Sequence, residues 1–167
     1  TFTPTHPARG KILYSEVQYT YTANQVDSIL TDLNPLIGQL ITPTYDVKVV
    51  KVHYQTIDWL GAPTFASGLI IVPVTNDPIT LPLLSYQHGT ILKKSDVASQ
   101  SPGGEQVVGL YCASDGYMTC MPDYLGLGDG PGFHPYMHAK TEATSVIDLL
   151  RAARNYAAAE RLTLYGK

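Results

Sequence analysis

Ten residues constrain this chain more than any others: Leu81-Pro82-Leu83-Leu84-Ser85-Tyr86-Gln87-His88-Gly89-Thr90. The apolar run over 81–84 lacks the alternation of a half-exposed strand, and such a run reads as a buried strand of a parallel sheet. It ends in His88-Gly89-Thr90. Gly89 tolerates φ > 0, which would let the next backbone N–H point out of the strand end. Ligands of open α/β sheets bind beyond the carboxyl ends of the strands, so a polar turn at this place is a candidate site. An ordinary strand-to-helix turn accounts for the same three residues.

The rest of the chain supplies the elements such a strand needs. Residues 1–10, with Pro4, Pro7 and Gly10, form an irregular lead-in, and residues 12–21 alternate loosely as a short extended segment. From Val26 the apolar positions Ile29, Leu30, Leu33, Leu36, Ile37 and Leu40 have helical spacing, and Thr22 with Gln25 fits a capping box. Pro35 breaks an interior turn, so two short helices are predicted, joined near Asn34-Pro35. Residues 45–57 alternate and predict a half-exposed strand. Residues 64–74 predict its antiparallel partner, the pair lying at the edge of a larger sheet. The turn between them carries Gly61 and Pro63.

Beyond Thr90 a polar stretch over 91–104 is long enough to fold over a pocket. A short helix is predicted over 105–114, ended by Asp115-Gly116, and a short buried strand over 117–122. Gly126, Gly128, Gly130 and Gly132 then give a loop of unusual backbone freedom. Residues 138–162 form the clearest helix, with Val146, Leu149, Leu150, Ala153 and Ala157 on one face and Asp148, Arg151, Arg154 and Glu160 on its polar surface. Residues 162–167 approach another strand. After the leading hairpin this is β-α-β-α-β, the signature of a mostly parallel sheet with helical crossovers.

Composition narrows the classes of function. A chain of 167 residues suffices for one domain with a real core. Only 15% of it is charged, against about 25% in an average soluble protein, so polar surface must come from Thr, Ser, Gln, Asn and 12 Tyr. A net charge of −3, with no basic cluster beyond Lys93-Lys94, argues against nucleic acid as a partner. No apolar run approaches the ~20 residues of a membrane span. The first residue is Thr, and no leader pattern precedes the lead-in, which reads as a processed or trimmed start. Low charge with abundant Tyr and Thr suits a secreted protein. Cys112 and Cys120 do not fit a Cys-x-x-Cys pattern. A disulfide between them is open in a secretory compartment, and two buried free thiols are the plainer expectation.

Four segments carry a resemblance: Tyr86-Gln87-His88-Gly89-Thr90, Pro122-Asp123-Tyr124-Leu125-Gly126-Leu127-Gly128, His134-Pro135-Tyr136 and Asp148-Leu149-Leu150-Arg151-Ala152-Ala153-Arg154. In that order they resemble the secreted lipase and esterase branch of the α/β hydrolases, with the cell-wall-degrading esterases of plant-pathogenic xanthomonads among its members. The resemblance runs from about residue 45 to residue 167. It implies an α/β-hydrolase fold, present here as the N-terminal half of a mostly parallel sheet flanked by helices. Residues 1–44 would be a lead-in with a helical segment, and 45–167 the N-terminal half of the hydrolase domain. The implied activity is that of a secreted bacterial serine esterase or lipase. It would act on a small-molecule ester or lipid by acyl transfer, without a cofactor, with cell-wall degradation and virulence as associated roles.

That family places its nucleophile in Gly-x-Ser-x-Gly on the next strand, followed by Asp or Glu and then His. No serine here has glycine at both i−2 and i+2. Ser114 has Gly116 at i+2 but Cys112 at i−2. The chain is therefore expected to be truncated before the nucleophile elbow, to be inactive alone, and to need the remainder of the hydrolase chain as its partner.

By the same resemblance the backbone N–H of Thr90 supplies part of an oxyanion hole, with Gly89 and His88 as loop support rather than as base. Asp123 is expected to support the loop by accepting hydrogen bonds from the His88 turn or from its own. Tyr124, His134 and Tyr136 either line the substrate pocket or pack within the loops. His134 and His138 share i, i+4 spacing, but Pro135 and the want of a third ligand argue against a metal site. A non-catalytic lipid- or glycoside-binding protein that kept the fold is the alternative, and a peptidase of similar architecture a weaker one. A Gly-x-Ser-x-Gly in the residues that follow in the gene would separate enzyme from binder.

Overall fold

The computed structural model describes residues 8–36, 42–76 and 79–165. Asp46–Ile57 (β2) is a strand as predicted, but not half-exposed: Val47 and Val49 are fully buried on one face and Val52 and Tyr54 on the other. Its antiparallel partner Pro63–Val74 (β3) is buried over most of its length, because helices cover both of its faces. Asp58 closes the turn between them, its Oδ1 accepting from Leu60 N at 2.9 Å and Ala62 N at 2.8 Å, the usual habit of an Asx side chain. Ile12–Tyr21 (β1) pairs antiparallel with β2 along its length, with register shifts at residues 12–14 and 17–19. The edge of the sheet therefore falls on β1, and not on the β2–β3 pair as expected.

The first helix, Ala23–Leu33 (α1), opens with the predicted capping box: Thr22 Oγ1 accepts from Gln25 N, and Gln25 Oε1 accepts from Thr22 N at 2.8 Å. It stops at Asn34, ahead of Pro35, and the second predicted helix extends into residues 37–41, outside the described ones. The leucine-rich run is two short pieces, Thr80–Leu81 (β4) and Leu83–Ser85 (β5). Pro82 has no N–H for a ladder, and the chain changes partner across it. β5 pairs in parallel with Met118–Pro122 (β6), and β4 in parallel with Thr163–Leu164 (β7). The other helices are Gln106–Ser114 (α2) and Ala139–Ala159 (α3).

The five-stranded sheet has the order β1-β2-β3-β6-β5. It is mixed, not mostly parallel: β1/β2, β2/β3 and β3/β6 are antiparallel, and β5/β6 is parallel. The link from β3 to β4 is far shorter than the dozen or so residues a parallel crossover needs, so β4 and β5 run back against β3. β6 enters between them, parallel to β5 after its crossover and hence antiparallel to β3. Helices cover both faces, α3 over Val50, Val52, Ile70 and Val72, and α1 with α2 over Val47, Val49, Leu69 and Ile71. Among the described residues, no helix is long and apolar enough to cross a membrane.

One residue of α3 departs from its helical-wheel place. Asp148, expected on the polar surface, is fully buried, while Val146 and Leu150 are only half-buried. Its carboxylate accepts from Arg9 Nε at 3.0 and 2.9 Å, from Thr56 Oγ1 at 2.7 Å and from Arg151 Nη1 at 2.7 Å. It thereby ties the segment before β1, the end of β2 and α3 together. Breaking a buried pair costs about 3–5 kcal/mol, whereas a partly exposed one contributes about 1 kcal/mol or less. Asp148→Ala should therefore lower the urea midpoint severely and Arg151→Ala only slightly, with the slope unchanged in both. Equal losses would mean that Arg9 and Thr56 are not the partners that matter.

The two cysteines are free, Cys120 fully buried and Cys112 partly exposed. Burial pushes the Cys120 thiol up to about 12, and only the thiolate reacts. Iodoacetamide should label Cys112 first in the native protein and both after unfolding. Native labelling of Cys120 at the rate of Cys112 would contradict its burial.

Candidate active site

Because β5 and β6 are parallel neighbours, both leave the sheet at the same end. Tyr86 N extends the ladder by one bond, to Cys120 O at 2.9 Å, and His88 then lies beside Asp123 and Tyr124. The His88 ring is 4.4 Å from the Tyr124 ring, its Nε2 faces Asp123 O at 3.2 Å, and its Nδ1 lies 2.7 Å from Gly89 O. Gly89 O and Thr90 N–H belong to one planar peptide unit and point in opposite directions. Both ring nitrogens face carbonyl oxygens, so a neutral ring donates to one of them; with the proton on Nδ1 it donates to Gly89 O and bears on where the Thr90 N–H aims. Thr90 is exposed, and among the described residues no acceptor takes that N–H. Gly89 itself stays outside the left-handed region expected for it, and the left-handed residues lining the cleft are Tyr124, with φ 68°, and Met137, with φ 56°.

The cleft at this place has a volume of about 290 Å³. It brings together His88, Gly89, Thr90, Tyr124, His134 and Tyr136, with Glu142 of α3 on one wall. His134 is held by its Nδ1, 2.9 Å from Leu125 O, and its ring is nearly parallel to that of Tyr124. His138 Nδ1 turns instead to Thr141 Oγ1 at 3.1 Å.

Asp123 is fully buried and does not reach the cleft; it lies beneath. Its Oδ2 accepts from Ser67 Oγ of β3 at 2.6 Å and from Ser99 Oγ at 2.5 Å, and its own N–H donates to Ser67 O at 3.0 Å. The sequence reading expected its partners in the His88 turn or in its own turn. The side-chain partners are two distant serines, and the His88 turn meets only its backbone carbonyl. Burial raises the Asp123 carboxyl above its ordinary range, against the hydrogen bonds of Ser67 and Ser99 and the charge of His88. A Cβ at Gly128, where φ is 56°, would lie 2.3 Å from Asp123 Oδ2, so the loop packs on this carboxylate only with glycine there.

Ser67, Ser99, Glu142 and Asp129 were not singled out by sequence. Only Asp129 left a signal, as the one acidic residue within the glycine-rich loop. Its Oδ2 meets Lys51 Nζ at 2.6 Å and His53 Nε2 at 2.7 Å, its Oδ1 accepts from Gln100 Nε2 at 2.5 Å, and its N–H donates to Ser67 Oγ at 2.9 Å. Burial alone would raise this carboxyl, but bonds from Lys51, His53 and Gln100 hold it at about 2.

No protein-family model matches the chain, and no curated protein matches it. Solved structures do. The rice cell wall degrading esterase LipA from Xanthomonas oryzae is 31% identical with a TM-score of 0.80, over 96% of this chain and 41% of that one. A hydrolase candidate from Legionella pneumophila is 34% identical with a TM-score of 0.79, over 92% of this chain and 41% of that one. Candida antarctica lipase A, 12% identical with a TM-score of 0.54 over 93% of this chain and 33% of that one, shares the fold alone. The chain thus spans about 41% of the length of the esterase and of the hydrolase candidate. The resemblance read from four short motifs extends over nearly all of it.

The anchoring of the loop by Asp129 sets a pH dependence. Its folded value, about 2, lies below the ordinary ~3.9 of an unfolded Asp. The stability it contributes is therefore present above pH ~4 and lost as pH falls towards 2. Melting temperatures between pH 2 and 7 should show the wild type ahead of Asp129→Asn at neutral pH, with the gap closing below pH ~4. A gap that stays constant with pH would show that the charge of Asp129 is not what anchors the loop.

Proposed function

We propose that this chain is the oxyanion-loop part of a secreted carboxylic ester hydrolase of the serine esterase and lipase class. The observation that carries the reading is the Thr90 N–H. Thr90 is exposed, its N–H has no acceptor among the described residues, and it lies in the turn beyond the carboxyl end of β5, where the His88 ring meets the carbonyl of the same peptide unit. It does so in a chain 31% identical to a cell wall degrading esterase.

Attack of a serine hydroxyl on an ester carbonyl moves negative charge onto the carbonyl oxygen. A preorganised N–H 2.7–3.1 Å from that oxygen contributes about 2.7–4 kcal/mol to the transition state. Thr90 would supply one such donor, and the N–H that follows the nucleophile another. No serine of these 167 residues has the nucleophile-elbow pattern, so in this reading the nucleophile, acid and histidine come from outside them. Tyr124, His134 and Tyr136 would line the substrate cleft, and Asp123 with Ser67 and Ser99 would hold its floor. No cofactor enters. The substrate would be a small ester or lipid met outside the cell, plant cell-wall esters among them.

Two measurements test this. The first is the gene sequence after Lys167, where Gly-x-Ser-x-Gly is expected; its absence favours a lipid- or glycoside-binding protein. The second is kcat of the whole encoded protein on a short-chain p-nitrophenyl ester. Thr90→Ala keeps the N–H and should change kcat little. Thr90→Pro deletes it and should lower kcat by about 10²–10³-fold. Proline also restrains Gly89, so an unchanged melting temperature must accompany the loss. Near-normal turnover in a folded proline variant would remove Thr90 from the oxyanion hole.

A further inference from the structure

One wall of the cleft carries charge that the ester chemistry does not use. The rings of Tyr124, His134 and Tyr136 follow one another along it, the first pair nearly parallel at 6.3 Å and the second edge-on at 6.4 Å. Glu142, in the first turn of α3, lines the same space, and no lysine or arginine does. Among the described residues its carboxylate has no ion-pair partner. Glu105, which does not line the cleft, keeps one carboxylate oxygen buried and without a hydrogen bond among the described residues. After burial, the charges of Glu142 and then Glu105 are what raise the Tyr124 hydroxyl, so both bear on this wall.

We infer that this wall is a subsite for a small organic cation of the trimethylammonium kind, carried on the alcohol part of the substrate. The inference rests on the ester-hydrolase reading above. The exposed ring of Tyr136, with the stacked Tyr124 and His134 behind it, lies beside an unbalanced carboxylate, and the two attract a weakly hydrated cation through the ring quadrupole and the charge. A metal ion would need several oxygen ligands closing on it, and rings offer none. The amino end of α3 explains why an acid is tolerated at Glu142, but not why it faces three rings with no cation beside it.

The test compares three substrates of the whole encoded protein: a choline ester, its neutral isostere in which carbon replaces the quaternary nitrogen, and a p-nitrophenyl ester of the same acid. The choline ester should exceed its isostere in kcat/KM by about tenfold or more, the equivalent of 1.4 kcal/mol. The ratio should fall towards one in Glu142→Gln and in Tyr136→Leu. Equal rates for the two isosteres would overturn the subsite and leave the hydrolase standing. If none of the three esters is turned over, the hydrolase reading fails, and calorimetric titration with choline decides the subsite separately. Binding weakened by Glu142→Gln supports it, and no binding to the wild type overturns it.

Discussion

Three residue pairs join β5 to β6, Leu83 with Met118, Leu84 with Thr119 and Ser85 with Cys120, and the direction of that pairing decides where the polar groups of the cleft meet. Parallel neighbours end at the same edge of a sheet. The His88 turn and the Asp123-Tyr124 turn therefore emerge side by side, close enough for the His88 ring to lie against the Tyr124 ring and to face Asp123 O. An antiparallel pairing of the same strands would have sent the two turns to opposite ends. The cleft, the aim of the Thr90 N–H and the reach of α3 to Glu142 all follow from this arrangement.

Two fully buried aspartates hold the frame by different means. Asp148 faces arginines and a hydroxyl, so its charge is matched where it lies. Asp123 has hydroxyl partners only, leaves Oδ1 unpartnered among the described residues, and is pushed towards its neutral form by burial. The difference suits their places. Asp148 fastens an arginine-bearing segment to a helix, a task for charge. Asp123 joins β3, the Ser99 segment and the end of β6 through the hydroxyl groups of Ser67 and Ser99. Above it sits Tyr124, a non-glycine residue in the left-handed region, whose strain the surrounding contacts must overcome. Its ring is thereby presented to His88 on one side and His134 on the other.

What the linear chain determined is what depends on local spacing. The strand over residues 46–57 follows from its β-branched and aromatic run, although its burial on both faces does not. The start of α1 follows from Thr22 and Gln25, and its stop from Pro35. The membership of His88, Thr90, Tyr124, His134 and Tyr136 in one group was legible from motif order, since each motif sits just after a strand end or in the loop beyond one. Tertiary structure alone decided the rest. Sheet direction depended on which strand slips between β3 and β5. The burial of Asp148 depended on Arg9, 139 residues away. Ser67 and Ser99 meet Asp123 across separations of 56 and 24 residues, and Glu142 faces the rings only once α3 has docked. Hydrogen bonds and charges act through a few ångströms of space, and nothing in a spacing pattern records which distant residues the fold brings within that reach.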